Sequence, residues 1–113
     1  MRLQRVNQLI REEISHLIQR ELKDPRLGFV TVTEVDVAKD LRSAKVYVSV
    51  LGSEAQWQAS LEALESARGF IRNWLVPRLR LRSVPHLTFH PDRSMAHAAR
   101  IQELLKRLSV DRT

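Results

Sequence analysis

Cysteine is absent, so disulfides and thiolate metal sites are excluded. Its absence leaves the redox compartment open, with a reducing cytosol as the default. Glycine is scarce: Gly28, Gly52 and Gly69 are the only three. No glycine-rich phosphate loop can be drawn from them. Nowhere does an apolar run approach the ~18 residues that cross a membrane. The start of the chain has Arg2 and Arg5 but also Glu12 and Glu13, with no apolar run, so it does not read as a signal peptide. Lysine is rare too. Lys23, Lys39, Lys45 and Lys106 are the only lysines among nineteen Lys and Arg residues. Arginine's planar fork suits bidentate phosphate contact and stacking on bases. The last shortage is local: no Asp or Glu lies between Ser66 and Pro91.

What is present is the composition of a folded soluble domain, 43% apolar and 28% charged. A length of 113 residues fits one domain, placed over 1–108, with a frayed tail at 109–113. No repeat, low-complexity segment or linker divides it. A net charge of +6 and a pI near 10.7 favour RNA, DNA or another acidic partner over a pocket for an acidic metabolite.

The chain is organised around residues 61–82. Leu61, Leu64 and Ala67 form one helical stripe; Phe70, Ile71, Trp74, Leu75 and Leu79 form the next. They meet at Ala67-Arg68-Gly69, where small residues allow a kink and close approach of another backbone. Beyond the join come Arg72, Arg78, Arg80 and Arg82, with no acid nearby in sequence. A kinked helix pair carrying unneutralised arginine points to a surface for a polyanion, the alternative being a solvated helix face.

Before this stretch, Leu3, Val6, Ile10, Ile14, Leu17, Ile18 and Leu22 make a long helical stripe that Asp24-Pro25 stops. Residues 29–37 read as a strand in which Val30 and Val32 differ in parity from Val35 and Val37, so both faces are partly buried or a bulge near Thr33-Glu34 shifts the phase. A polar loop at 38–43 leads into the alternation of Ala44, Val46, Val48 and Val50, an antiparallel partner strand. Ser53 and Gln56 form a capping box for a helix carrying Trp57, Leu61 and Leu64. The helix after the kink is expected to run toward Arg80, but Pro77 predicts a bend or an early end near Leu75. Residues 87–90 make a short third strand beside the hairpin. Asp92 or Ser94 caps a last helix whose inner stripe is Met95, Ala98, Ile101, Leu105 and Leu108. The expected fold is an α+β sandwich: a three-stranded sheet with helices packed on one face.

This order is similar to the type II KH fold, αββααβ, with an additional C-terminal helix. Within that class the chain resembles the ribosome-binding factor A family. The resemblance rests on RVNQLIREEISHLIQRELKDPR (5–26), VTVTEVDVAKDLRSAKVYVSVLG (30–52), ARGFIRNWL (67–75), LRLRSVPHLTFHPDRS (79–94) and RIQELL (100–105). An ordinary KH domain clamps a nucleic-acid backbone with a GXXG loop. None exists here, and the family's alanine-anything-glycine kink stands in its place at Ala67, Arg68 and Gly69. Three positions depart from the family pattern: His86, Ala98-Ala99 and Val76-Pro77. The resemblance implies a non-enzymatic factor, without cofactor, that associates with the free small ribosomal subunit. Such factors assist late maturation and end-processing of 16S rRNA, above all in the cold. It further implies a monomer in the bacterial cytoplasm (organellar relatives exist), released by the mature rRNA conformation or by another assembly factor such as a GTPase.

The candidate RNA-contacting residues are Arg68, Arg72, Arg78, Arg80 and Arg82, with Lys39, Arg42 and Lys45 on the hairpin and Arg2 and Arg5 extending the patch. These are physical inferences from charge. Trp57 and Trp74 share helical spacing with leucines and read as core, base stacking being the alternative. His86 and His90 lie four apart around a strand and with His97 can be drawn as a metal site, but no acid-histidine metalloprotease spacing is present and no metal is expected. Asp40, Asp92, His16 and the serines form no recognisable triad. Two other classes stay open: a basic module that meets an acidic protein, and an rRNA-processing enzyme.

Overall fold

The computed structural model describes residues 2–111, without the side chains at 95–99 and 109–111. The elements follow one another as α1 (Leu3–Arg20), β1 (Phe29–Val37), β2 (Ser43–Leu51), α2 (Glu54–Ser66), α3 (Arg68–Leu75), β3 (His86–Pro91) and α4 (Ser94–Asp111). The sheet order is β1-β2-β3, with β1 and β2 antiparallel and β3 parallel to β2. A parallel neighbour needs a long crossover, which α2 and α3 supply. This is the expected α+β order with a three-stranded mixed sheet.

One face of the sheet is buried. Val30, Val32, Val35 and Val37 of β1 line it with Ala44, Val46, Val48 and Val50 of β2 and Leu87 of β3. The bulge explains how β1 manages this. Val32 is in register with Val48 and Val35 with Val46, and the register slips between Val32 and Glu34. One extra residue brings the second valine pair back to the buried side. Val6, Ile10, Ile14 and Leu17 of α1 cover β1, while Trp57, Leu64, Ile71 and Leu75 of α2 and α3 complete the core. The opposite face carries Thr31, Glu34, Asp36, Lys45, Tyr47 and His90, with the exposed Phe29 and Leu51 paired at one end.

Several expectations are corrected by packing. α1 ends at Arg20, before Asp24-Pro25, and Leu22 N–H folds back to the Leu17 carbonyl at 2.8 Å. The buried face of α2 is Trp57, Ser60, Ala63 and Leu64; Leu61 is only half-buried. Ser60 is fully buried because its hydroxyl accepts from Gly28 N–H at 3.1 Å and faces the Arg26 carbonyl at 3.4 Å. Phe70 is exposed, not part of the core stripe. The kink itself falls on Ala67, whose ψ is near zero, while a Cβ built on Gly69 meets nothing within 4 Å. No backbone approaches Gly69, so the small residue there is not needed for space. Pro77 has the effect of an early stop: α3 ends at Leu75. Ser53 and Gln56 form the capping box. Gly52 supports it: its φ is 150°, and a side chain there would strike Gln56 Oε1.

α4 departs most from expectation. Ile101, Leu105 and Leu108, expected on an inner stripe, are exposed, as is Leu104. Every described side chain from Arg100 to Leu108 faces solvent. Met95 and Ala98 lie outside the described side chains. The helix runs through Asp111, past Ser109 where a frayed tail is expected, and residues 112–113 lie outside the description. α4 lengthens the molecule to 61 × 33 × 19 Å, with a radius of gyration of 16.7 Å. A compact chain of this size has about 13 Å.

Candidate nucleic-acid interface

Backbone bonding gathers three separated segments at one end of the sheet. Val37 N–H donates to Asn7 Oδ1 at 2.9 Å, which ties the end of β1 to the first turns of α1. His86 N–H donates to the Arg42 carbonyl at 2.9 Å, which ties the start of β3 to the hairpin tip. Arg2 and Arg5, Lys39 and Arg42, and the connection bearing Arg80 and Arg82 therefore converge. All six side chains are exposed. The start of α1 adds to the positive potential, because it has no side-chain cap and no acid in its first turn.

The hairpin tip is held rigidly enough to present its charges. Asp40 Oδ1 accepts from Arg42 N–H at 3.0 Å, and Leu41 N–H donates to the Ala38 carbonyl at 2.9 Å. Leu41 takes a φ of 62° although it is not glycine. A left-handed leucine costs roughly 1–2 kcal/mol. Its side chain packs against the core, which offsets that cost and anchors the tip. Asp36 and Asp40 are the acids of this end. Asp36 stands in register with Lys45 on the open sheet face, but the two make no ion pair among the described residues.

The arginines of the kinked pair divide into two groups. Arg68 pairs with Glu65 at 3.0 Å, and Arg78 with Glu13 at 3.7 Å. Arg78 also lies over the Trp74 ring, 3.3 Å from its centroid, and donates to the Trp74 carbonyl at 2.8 Å. His16 stacks beside the same ring, with centroids 6.3 Å apart. Arg68 and Arg78 are thus not unneutralised, and Arg78 is committed to holding α3 against α1. The acid-free run in sequence overlooked acids that flank it or reach it from another helix. Arg72, Arg80 and Arg82 have no ion pair among the described residues and are exposed. Behind Arg78, a cleft of about 560 Å³ is lined by Glu12, Glu13, His16, Glu21, Trp74 and Arg78. Acid collects along that flank of α1, away from the basic end.

Trp57 is buried, as its spacing with the leucines predicts, and Arg93 covers its ring at 4.4 Å. The Arg93 guanidinium forks onto the Glu54 carboxylate, with Nη2 at 3.0 Å from Oε2 and Nη1 against Oε1. This pair raises the Arg93 pKa and holds the Glu54 carboxyl below its usual range. Sequence reading passed over Arg93 because neither partner is close in the chain. His90, drawn there only toward a metal, instead meets Thr88 Oγ1 at 2.9 Å and tilts against Tyr47, with centroids 5.5 Å apart. The side chain of His97 lies outside the described residues.

A sequence profile for the family described as Ribosome-binding factor A matches residues 2–105. This chain belongs to the ribosome-binding factor A family. Ribosome-binding factor A of Thermomicrobium roseum is 49% identical over 108 residues, which cover 96% of this chain and 84% of the relative. The crystal structure of ribosome-binding factor A from Thermus thermophilus superposes with a TM-score of 0.74 at 31% identity, over 82% of this chain and 98% of the other. A homology model of the Thermus thermophilus factor, fitted into a cryo-EM map of its complex with the 30S subunit, gives 0.63 at 34% identity over 75% and 89%. In this member of the ribosome-binding factor A family, the Ala67 kink occupies the place between the two central helices where a KH domain carries GXXG.

Proposed function

We propose that this protein docks on the free 30S subunit through its basic end and assists late maturation of that particle, including 5′-end processing of 16S rRNA. The observation that carries this reading is the convergence of Arg2, Arg5, Lys39, Arg42, Arg80 and Arg82 from three chain segments at one end of the sheet. Membership of the ribosome-binding factor A family and the 30S complex of a Thermus relative support it. The protein works by binding, not by catalysis. Contacts to phosphates favour an rRNA conformation that is otherwise minor, and its population rises in proportion to the differential affinity. The demand is greatest in the cold, when misfolded RNA escapes slowly. The protein acts as a cytoplasmic monomer and leaves when the mature rRNA conformation, or another assembly factor such as a GTPase, displaces it.

Co-sedimentation with purified small subunits, large subunits and whole ribosomes tests the reading. Binding confined to free small subunits and weakening steeply with salt is expected. Equal binding to every particle would sink it. Arg72→Glu, Arg80→Glu and Arg82→Glu together should weaken small-subunit binding with an unaltered circular-dichroism spectrum. Wild-type affinity in that variant would remove these arginines from the interface.

A further inference from the structure

α4 carries an apolar stripe that the domain itself does not cover. Ile101, Leu104, Leu105 and Leu108 recur at helical spacing, and between 45% and 59% of each is exposed. The main contact of α4 with the body is to β2, and its root is fixed by two clamps. Asp92 accepts from Thr33 and Ser94, and Arg93 grips Glu54 and Trp57. A clamped root and a projecting shaft hold the stripe out from the sheet in a defined direction. The stripe has a charged border. Arg100 and Arg107, seven residues and so about two turns apart, run along its Leu104 side. Glu103 lies behind them, 3.3 Å from Arg107.

We propose that this stripe is a second anchor, which docks in an apolar groove with an acidic border on a protein of the particle that the basic end grips. The proposal rests on the docking reading above. Four aliphatic side chains need an apolar partner, and a phosphate backbone offers none. Arg100 has no ion pair among the described residues, whereas Arg107 meets Glu103, so the border stays net positive and calls for a carboxylate on the facing rim. A second copy of this chain fits poorly. Four half-exposed side chains fall well short of the ~800 Å² that each partner buries in a stable complex. Antiparallel pairing would also bring Arg100 against Arg107 of the other copy. On a particle already held by the basic end, a small contact is enough, because the second binding event is intramolecular.

The test uses the full chain and purified small subunits. Leu104→Ser with Leu108→Ser removes half of the stripe without touching the basic end. Small-subunit affinity should fall about tenfold or more, with far-ultraviolet circular dichroism and the salt dependence of binding unchanged. A photoreactive phenylalanine analogue in place of Leu105 should crosslink to a subunit protein, as a nuclease-resistant, protease-sensitive adduct. Adducts to rRNA alone, adducts to a second copy of this chain, or wild-type affinity in the double variant would each overturn the anchor while leaving the docking reading intact. Failure of the wild-type protein to bind small subunits would overturn both.

Discussion

Asp92 accepts hydrogen bonds from Ser94 Oγ at 2.6 Å, from Thr33 Oγ1 at 2.6 Å and from Ser94 N–H at 3.0 Å. Its neighbours explain its titration. The Ser94 hydroxyl first, then the Thr33 hydroxyl and the Ser94 amide, hold its carboxyl below the ordinary range. A carboxyl with a lowered folded pKa contributes stability above its unfolded value, about 3.9, and loses that contribution as pH falls through the folded value. Asp92→Asn removes the charge and leaves the other lowered carboxyls, Asp24 and Glu54, in place. The gap in melting temperature between wild type and Asp92→Asn should therefore be widest near pH 7 and narrow progressively as the pH falls below about 4. A gap that stays constant across that window would refute this account of the α4 root. Asp92 was legible in sequence as a helix cap. Its bond to Thr33 was not, because 59 positions separate the two and only the bulge turns Thr33 toward it. Leu41 was illegible for a related reason: nothing local marks a leucine for a φ of 62°, and only its packing against the core keeps it there.

Strands proved easier to read than helix faces, and the reason is periodicity. A strand offers two faces, so the parity slip from Val30 and Val32 to Val35 and Val37 left only a bulge or two-sided burial. The structure contains the bulge, with the slip between Val32 and Glu34. Deleting Thr33 leaves Val30, Val32, Val35 and Val37 in unbroken alternation, so a regular strand keeps both valine pairs on the buried face. What the deletion removes is the Thr33 bond to Asp92, worth about 1 kcal/mol. The deletion should stay folded, with a urea midpoint close to that of Thr33→Ala, which loses the same bond, whereas Thr33→Ser, which keeps the hydroxyl, should fall within about 1 kcal/mol of wild type. Unfolding of the deletion would mean that the bulge itself is required, and not only the phase of the valines. Helices are harder, because an apolar stripe shows only that some face is apolar, not what covers it. α2 turned its Ser60 and Ala63 side inward at the expense of Leu61, since Ser60 meets the Gly28 amide. The leucines of α4 have the same spacing as those of α1, but α4 projects from the end of β3, where the core is already filled.

At the scale of the whole molecule, charge is arranged in space and only partly in sequence. The run from Ser66 to Pro91 contains no acid, yet Glu65 and Glu13 neutralise Arg68 and Arg78. The candidate cations without an ion pair among the described residues, Arg72, Arg80, Arg82, Arg2, Arg5, Lys39, Arg42 and Lys45, come largely from one end of the sheet, while Glu12, Glu13 and Glu21 gather on a flank of α1. A molecule polarised in this way is steered toward a polyanion with a preferred face before any contact forms. The salt dependence of binding reads out which arginines complete that contact. Each phosphate neutralised releases counterions and adds roughly 0.7–0.9 to the magnitude of the slope of log affinity against log salt. Arg72→Gln, Arg80→Gln and Arg82→Gln should each reduce that slope by about this amount and weaken binding most at low salt. Arg68→Gln and Arg78→Gln should leave the slope as it is, because their charges are already met within the fold. Arg78→Gln should instead lower the urea midpoint, since it loses the stacking over Trp74 and the bond to its carbonyl. If Arg78→Gln reduces the slope as much as Arg82→Gln does, the Arg78–Glu13 pair opens on the subunit. The interface would then extend from the sheet end along the groove between α1 and α3.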